Sequence, residues 1–277
     1  MSNNIKIHQI YYKTEQLPQL DPAFIPWNNI ANPHPEYQEW YVWNKDYQKC
    51  CDEGLEYWGF LSWKFGQKTN LNGEQFIKFI EDNPGYELYF VNPSIANEAL
   101  FTNGWEQGDK YHPNISQIAD MFLAKIGYSD VHVREILTDR STTMWCNYIV
   151  GSRKFWDGFM AFGTKLFDEA KKDLEFNQLV FGVGGSKYAF NPNLPMFIFL
   201  IERLVSIYIE LEGIKVLAYR HTTETVGEKY KPYIGDIIAL SDLKVLINRY
   251  DSDELYDIWL QYRTTILRQH PGILGLE

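Results

Sequence analysis

Two glutamates stand out in this sequence as candidate proton acceptors. Glu202 lies in "FLIERLV", where the apolar neighbours predict burial, and a buried carboxylate is rarely left unpaired. It therefore has either a structural partner, such as the adjacent Arg203, or a task as a general base. Glu106 is the rival candidate, in the segment "NGWEQGDKYHP". Both interpretations stay open for Glu202, and for Glu106 the alternative to a functional role is a plain turn.

The segment around Glu106, residues 101–113, is rich in Gly, Asn and Asp, and this composition predicts a loop. Trp105 has no helical or strand period to satisfy there and offers a flat apolar face to a ring-shaped ligand. Polar side chains that could hydrogen-bond a carbohydrate surround it, namely Asn103, Gln107, Asp109 and His112. A plain turn is the alternative, because loops of this composition are common.

Short apolar runs alternate with amphipathic segments in the first hundred residues. Strands are predicted at residues 5–12, 57–63 and 86–91, and helices at residues 36–53 and from the N-cap Asn72 to the "NPGY" stop. This order predicts an α/β fold with a mostly parallel sheet and helices on its faces. Ligands collect beyond the carboxyl ends of such strands. The polar or aromatic residues at these ends are Gln9, Tyr11, Tyr12, Ser62, Trp63, Lys64 and Asn92. The alternative is that the tyrosines pack half-buried and that Ser62 and Lys64 merely reach the surface.

The rest of the chain continues the pattern. Strands are predicted at residues 143–152 and 215–219, and helices at residues 114–126, 153–175, 195–212, 236–249 and 253–268. The glycine-rich segment "FGVGGSKYAFNPNLP", residues 181–195, matches neither phosphate-binding motif and is interpreted as a mobile loop. We predict one α/β domain over residues 1–220 and a helical C-terminal extension, residues 221–277, packed on it.

Composition narrows the classes of partner. The net charge of -10 and the absence of a basic run argue against nucleic acid. Three cysteines, two of them adjacent, favour a reducing compartment. Neither a signal peptide nor a transmembrane segment is expected, so the predicted location is cytoplasmic.

Four segments, in this order, resemble a bacterial group of GT-A-type glycosyltransferases found in capsule and O-antigen loci. They are "QLDPAFIPWNN", "WGFLSWKF", "MWCNYIVGSRKFWDGFMAF" and "FLIERLVSIYI", and the resemblance covers roughly residues 5–220. The resemblance implies a GT-A-like, Rossmann-like sheet and transfer of a sugar from a nucleotide-sugar donor to a growing surface polysaccharide or related glycan. The family's His-Tyr-Arg-Arg strand end is replaced by Ser62-Trp63-Lys64-Phe65, which leaves one cation.

The resemblance also implies roles for particular residues. Glu202 would be the general base, since its helix resembles the "ED-x-x-L-x-x-R" helix start that carries the base in many inverting GT-A enzymes, with Glu106 as the alternative. Independently of the resemblance, the side-chain types suit such a transfer: the residues at the strand ends would bind the donor, and Asn103, Trp105, Gln107 and His112 would bind the acceptor. Partners implied are a glycan or lipid-linked glycan acceptor and a polysaccharide-assembly machinery at the inner face of the membrane.

No metal is implied by the sequence. Many GT-A enzymes hold Mn²⁺ or Mg²⁺ with an Asp-x-Asp at a strand end, but "YFVNPS" at residues 89–94 carries no carboxylate. The Asp-x-Asp at residues 251–253 is better explained as a helix cap. Lys64, Lys68 and Arg153 would then supply the positive charge that a diphosphate needs. A non-catalytic carbohydrate-binding or scaffold module on the same fold is the alternative function.

Overall fold

A computed structural model describes residues 4–182, 194–222 and 225–275. They form an α/β fold around one six-stranded sheet of order β2-β1-β3-β5-β4-β6. The strands are β1 (Ile5–Tyr11), β2 (Ile25–Asn28), β3 (Tyr57–Ser62), β4 (Leu88–Phe90), β5 (Ile149–Ser152) and β6 (Val216–Ala218). β5 runs antiparallel to β3 and β4, while the other neighbours pair in parallel. The predicted α/β class with a mostly parallel sheet is confirmed.

Helices in the described residues connect and cover these strands. They are α1 (Gln38–Asp52), α2 (Phe65–Thr69), α3 (Gly73–Asp82), α4 (Ile95–Leu100), α5 (Gly104–Tyr111), α6 (Ile115–Lys125), α7 (Arg153–Lys172), α8 (Leu174–Phe181), α9 (Met196–Glu212), α10 (Ile234–Tyr250) and α11 (Asp253–Gln269). Short 3-10 helices span Thr14–Gln19, Pro35–Tyr37, Glu228–Tyr233 and Ile273–Gly275.

Both faces of the sheet are buried. Along β4, Leu88 and Phe90 join one apolar cluster, whereas Tyr89 joins the cluster on the opposite face. In β3, Trp58 and Phe60 likewise alternate with residues of the other cluster. A strand with successive side chains on opposite faces must be apolar throughout when helices cover both sides, which is why these strands are nearly continuous apolar runs.

The predicted loop around Glu106 was wrong, because residues 104–111 form helix α5. Asn103 caps this helix, and its Oδ1 accepts hydrogen bonds from the backbone N–H groups of Trp105 and Glu106 at 2.9 Å. The Asn103 amide also donates to the carbonyls of Val133 and Ile136. The indole of Trp105 is 1% exposed in the main core cluster, so packing explains the bulky side chain that sequence reasoning had assigned to sugar stacking.

The predicted C-terminal helices are present as α10 and α11, and they share an apolar cluster with α4. Lys244 of α10 is fully buried there, and its ammonium donates to the carbonyls of Glu98 and Phe101 at the end of α4. The division at residue 220 stays a prediction. Most of the glycine-rich segment lies outside the described residues, so its predicted mobility is untested.

Candidate functional site

A cavity of about 610 Å³ opens at the carboxyl edge of the sheet. Its walls come from segments that leave this edge: α2 after β3, residues 93–95 after β4 and residues 221 and 225–230 after β6. Because β5 is antiparallel, the segment that enters it, with Trp145 and Cys146, meets the same edge. Helices α5 and α9 close the cavity. The expectation that the strands' carboxyl ends border a crevice therefore matches the placement of this cavity.

Glu202 places a carboxylate in the cavity wall. One of its oxygens, Oε1, accepts a hydrogen bond of 2.6 Å from the backbone N–H of Cys146. The other, Oε2, lies 3.8 Å from Nη1 of Arg203, which is long for an ion pair with hydrogen-bonding geometry. The Glu202 side chain is 23% exposed. The carboxylate is thus anchored through one oxygen and remains accessible to solvent, as a proton acceptor requires.

Arg203 is committed to the protein interior. Its guanidinium donates to the carbonyls of Gly104 and Phe199 and, at 2.6 Å, to Oε1 of Gln107. Gly108 makes room for it, because a Cβ at that position would lie 2.9 Å from the Arg203 Nε. The structural ion pair of Glu202 with Arg203, which the sequence left as a possibility, is therefore weaker than the hydrogen bonds that Arg203 of α9 makes to α5.

Lys68, on α2, contributes its side chain to the lining of the cavity. Its Nζ donates to Sγ of Cys146 at 3.1 Å. Burial lowers the pKa of Lys68, but Cys146, Glu202 and Glu39 nearby outweigh it and hold this pKa above its usual value. The ammonium is charged throughout the neutral range, and it is one of the three cations that sequence reasoning proposed for a diphosphate.

A second carboxylate, Glu39 of α1, stands near this group and was missed from the sequence. The hydroxyl of Tyr12 donates to its Oε1 at 3.2 Å. Burial raises the pKa of Glu39, and the charge of Glu202 raises it further. The predicted donor residue Tyr12 thus hydrogen-bonds to a carboxylate that interacts electrostatically with Glu202. Neither Tyr12 nor Glu39 is among the residues that line the cavity.

The other predicted donor residues of β1 and β3 lie near the carboxyl edge of the sheet, where the cavity opens, but they are not among the residues that line it. Gln9 is 1% exposed, and its side chain donates to the carbonyls of Ser62 and Trp63 and accepts from the backbone of Asp21. The Ser62 hydroxyl is 3.0 Å from that of Tyr148. These polar groups late in the strands join the strand ends to neighbouring segments.

The four remaining donor candidates, Tyr11, Trp63, Lys64 and Asn92, are also absent from the cavity lining. Tyr11 is buried in β1, and the Lys64 ammonium lies 5.1 Å from the centre of the Trp63 ring rather than in the cavity. Asn92 is buried and accepts from the backbone N–H of Ser94, while its carbonyl is 3.0 Å from Nε2 of His221. Both Ser94 and His221 line the cavity, so Asn92 supports its wall from behind.

The predicted acceptor residues divide into two groups. Asn103 and Trp105 are structural, whereas Gln107 and His112 line the cavity. The His112 ring stacks on Phe199 with 3.6 Å between ring centres. Burial, assisted by the charge of Arg203, lowers the pKa of His112 to about 3, so this imidazole is neutral at physiological pH.

Glu106, the rival base, is not among the lining residues. Its carboxylate accepts from Nη2 of Arg263 on α11 and from the backbone N–H of Thr102, both at 2.6 Å. Burial raises its pKa, but these hydrogen bonds outweigh it and hold the pKa of Glu106 below its usual value. Its surroundings are those of a structural ion pair that fixes α11 to α5.

Sequence reasoning also missed Cys146. The strand predicted at residues 143–152 begins only at Ile149, because Cys146 and Asn147 have φ angles of 64° and 54° in the left-handed region. An Asn beside a turn was a usable signal, since Asn tolerates this region better than most residues do. The turn carries Trp145 and Cys146 into the cavity wall.

Metal ligation and membrane insertion find no support in the part of the chain that the structure describes. The described residues contain no group of three or more His, Cys, Asp or Glu side chains arranged to hold a metal ion. None of the described helices is long and apolar enough to cross a bilayer. Comparison with family models, with curated proteins and with solved structures finds no match to this chain.

Proposed function

We propose that this protein is a glycosyltransferase of GT-A-like fold that moves a sugar from a nucleotide-sugar donor to a hydroxyl of a glycan. The observation that carries the proposal is the meeting of Glu202 and Lys68 around Cys146 in one cavity at the carboxyl edge of the sheet. A carboxylate that can take a proton and an ammonium that can stabilise a leaving diphosphate are the two groups that this chemistry requires.

In an inverting transfer, the acceptor hydroxyl oxygen forms a bond to the anomeric carbon as the bond from that carbon to the diphosphate oxygen breaks. The hydroxyl proton passes to the Glu202 carboxylate. The electron pair of the broken bond stays on the diphosphate, whose added negative charge the Lys68 ammonium stabilises. The hydrogen bond from the Cys146 N–H to Oε1 leaves Oε2 as the accessible proton acceptor.

The rest of the cavity suits a sugar or nucleoside. Trp145, Phe199 and Tyr230 supply aromatic surface, and Gln107 and Gln67 supply amides. The volume of about 610 Å³ lies within the range of typical small-molecule sites. As part of the proposal, the acceptor is a surface polysaccharide or lipid-linked glycan that is extended at the cytoplasmic face of a membrane.

The first test is a thermal-shift panel of UDP-, GDP-, CMP- and dTDP-sugars. A ligand that binds only the native state raises its stability by RT ln(1 + [L]/Kd), which is about 2.7 kcal/mol at a hundredfold excess over Kd. Lys68→Met should raise the Kd for the nucleoside diphosphate about tenfold or more, which at the same ligand concentration lowers the stabilisation to about 1.4 kcal/mol or less. Lys64→Met, a matched loss of charge outside the cavity, should leave it unchanged. No response to any nucleotide sugar would overturn the proposal.

The second candidate is a carbohydrate-binding or scaffold module without catalysis. The absence of both the family's basic strand end and an Asp-x-Asp at residues 89–94 favours it. Such a module would be stabilised by oligosaccharides but not by nucleoside diphosphates, so the same panel with added glycans separates the two functions.

A further inference from the structure

Cys146 contacts both groups to which the proposed function assigns chemistry. Its backbone N–H donates to Oε1 of Glu202 at 2.6 Å, and its sulfur accepts from Nζ of Lys68 at 3.1 Å. Glu202 comes from α9 and Lys68 from α2, which lie far apart in the sequence. Among the described residues, Cys146 therefore hydrogen-bonds to both side chains and links Glu202 to Lys68.

We infer that Cys146 is a positioning residue that fixes the distance and orientation between the carboxylate of Glu202 and the ammonium of Lys68. This inference rests on the proposed function for its kinetic consequence. The geometric part stands on the two hydrogen bonds and on the left-handed turn at Cys146 and Asn147.

The backbone of the turn aims the N–H at Glu202. Cys146 has φ of 64° and Asn147 has φ of 54°, and residues with a Cβ rarely occupy this region. Such conformations persist where the surrounding structure over-determines them, and they cluster at functional sites. If residue 146 belonged to an extended strand, its N–H would instead hydrogen-bond to the neighbouring strand of the sheet. Glu202 would then lose the only backbone hydrogen-bond donor that it has in the described structure.

The side chain suits its partner because a thiol is a neutral acceptor. Burial and the charge of Glu202 raise the pKa of Cys146 to about 11, so the thiol stays protonated in the neutral range. A carboxylate in the same place would pair with Lys68 and compete with a diphosphate for its charge. A thiol holds the ammonium in place and leaves its positive charge for the ligand.

The contacts can be tested without any enzyme activity by measuring the alkylation rate of Cys146 with iodoacetamide as a function of pH. Peptide mass spectrometry separates it from the buried Cys50 and Cys51. Glu202→Gln should move the pH midpoint down, because it removes a negative charge that disfavours the thiolate. Lys68→Met should move it up, because it removes a positive charge that favours the thiolate. At pH values below the midpoint, moving the midpoint by about one pH unit changes the thiolate fraction, and with it the alkylation rate, about tenfold.

The control for this experiment is Lys64→Met, which removes a charge outside the cavity and should leave the midpoint in place. Glu39 is kept unchanged in every variant, because its charge also acts on the thiol. A midpoint that stays fixed in both Glu202→Gln and Lys68→Met, or that moves in the same direction in both, would overturn the inference. This result is independent of whether the protein transfers sugars.

The kinetic consequence is tested with two variants of the sulfur. Cys146→Ala keeps the N–H and loses the acceptor for Lys68, so kcat and the affinity for the nucleoside diphosphate should each fall about tenfold, less than for outright removal of a charge-stabilising donor. Cys146→Ser keeps an acceptor and should recover most of both. Equal loss in Ala and Ser, or wild-type values in Ala, would overturn the positioning role. A wild type that neither binds nor turns over nucleotide sugars would instead overturn the proposed function.

Discussion

Glu202→Gln keeps the shape of the side chain and removes its ability to accept a proton at neutral pH. Loss of general-base assistance costs about 10²- to 10⁴-fold in rate, or about 3 to 5 kcal/mol of activation free energy. The glutamine Oε1 can still accept from the Cys146 N–H, so folding loses only the difference between a charged and a neutral hydrogen bond, about 1 kcal/mol. We therefore expect a large fall in kcat with a melting temperature and a nucleotide affinity close to those of the wild type.

The matched control is Glu106→Gln, the same chemical change in the other candidate base. Here the lost charge weakens the bond to Arg263, a side chain that is 14% exposed, and the expected cost is about 1 to 3 kcal/mol of folding free energy. Turnover per folded molecule should not change.

The assay is release of nucleoside diphosphate under saturating donor, together with thermal unfolding of each variant. Full turnover in Glu202→Gln, or an inactive Glu106→Gln that melts like the wild type, would show that Glu202 is not the general base.

Three further predictions follow from particular side chains. Burial lowers the pKa of His112 to about 3, so as the pH falls the unfolded chain binds this proton before the folded protein does. The free energy of unfolding should therefore drop between about pH 6.5 and 3, by about 5 kcal/mol at most. His112→Gln should flatten this part of the plot of unfolding free energy against pH, measured by urea denaturation. Binding of nucleoside diphosphates should persist in EDTA, because Lys68 supplies the positive charge; strict dependence of binding on Mn²⁺ or Mg²⁺, measured by calorimetry, would contradict this. Lys244→Met should cost about 3 to 5 kcal/mol in denaturant unfolding, because it leaves the buried Glu98 carboxylate and the carbonyls of Glu98 and Phe101 without their cationic partner. Lys78→Met, which breaks only an exposed pair with Asp82 on α3, should cost less than about 0.5 kcal/mol.

The sequence predicted the strongly periodic elements well. The apolar run of α9 and the amphipathic pattern of α7 gave their helices within a few residues, and the alternation at the start of the chain gave β1. Helix α5 was missed because its glycines and polar residues were interpreted as a loop, although the sequence also contains a helix N-terminal pattern there. Asn103 followed three residues later by Glu106 is the pattern of a helix N-terminus, and the structure uses Asn103 as that cap.

The candidate site was predictable only in part. Glu202 stood out because a carboxylate inside an apolar helix needs a reason, and Lys68 followed from the need for a cation; both line the cavity. The residues assigned from the ends of β1 and β3 are instead engaged in joining those strand ends to other segments. No local pattern shows which strand ends border an open cavity, since that depends on the lateral order of strands and on which helices close over them.

The antiparallel direction of β5 explains why Cys146 escaped notice. Reasoning from a parallel sheet looks for ligand groups after each strand, and for five strands of this sheet that is the correct edge. For β5, however, the residues before the strand lie at that edge, so the turn at Cys146 and Asn147 enters the cavity from the opposite chain direction. A strand with the common direction would place the segment after residue 152 there, which is the start of α7 and carries no thiol. The proposed contact of Cys146 with both Glu202 and Lys68 therefore depends on the reversed direction of β5. Asn147→Val should disrupt the turn and separate Glu202 from Lys68, because a β-branched residue disfavours the left-handed φ. Asn147→Gly tolerates the same φ and should keep both contacts of Cys146.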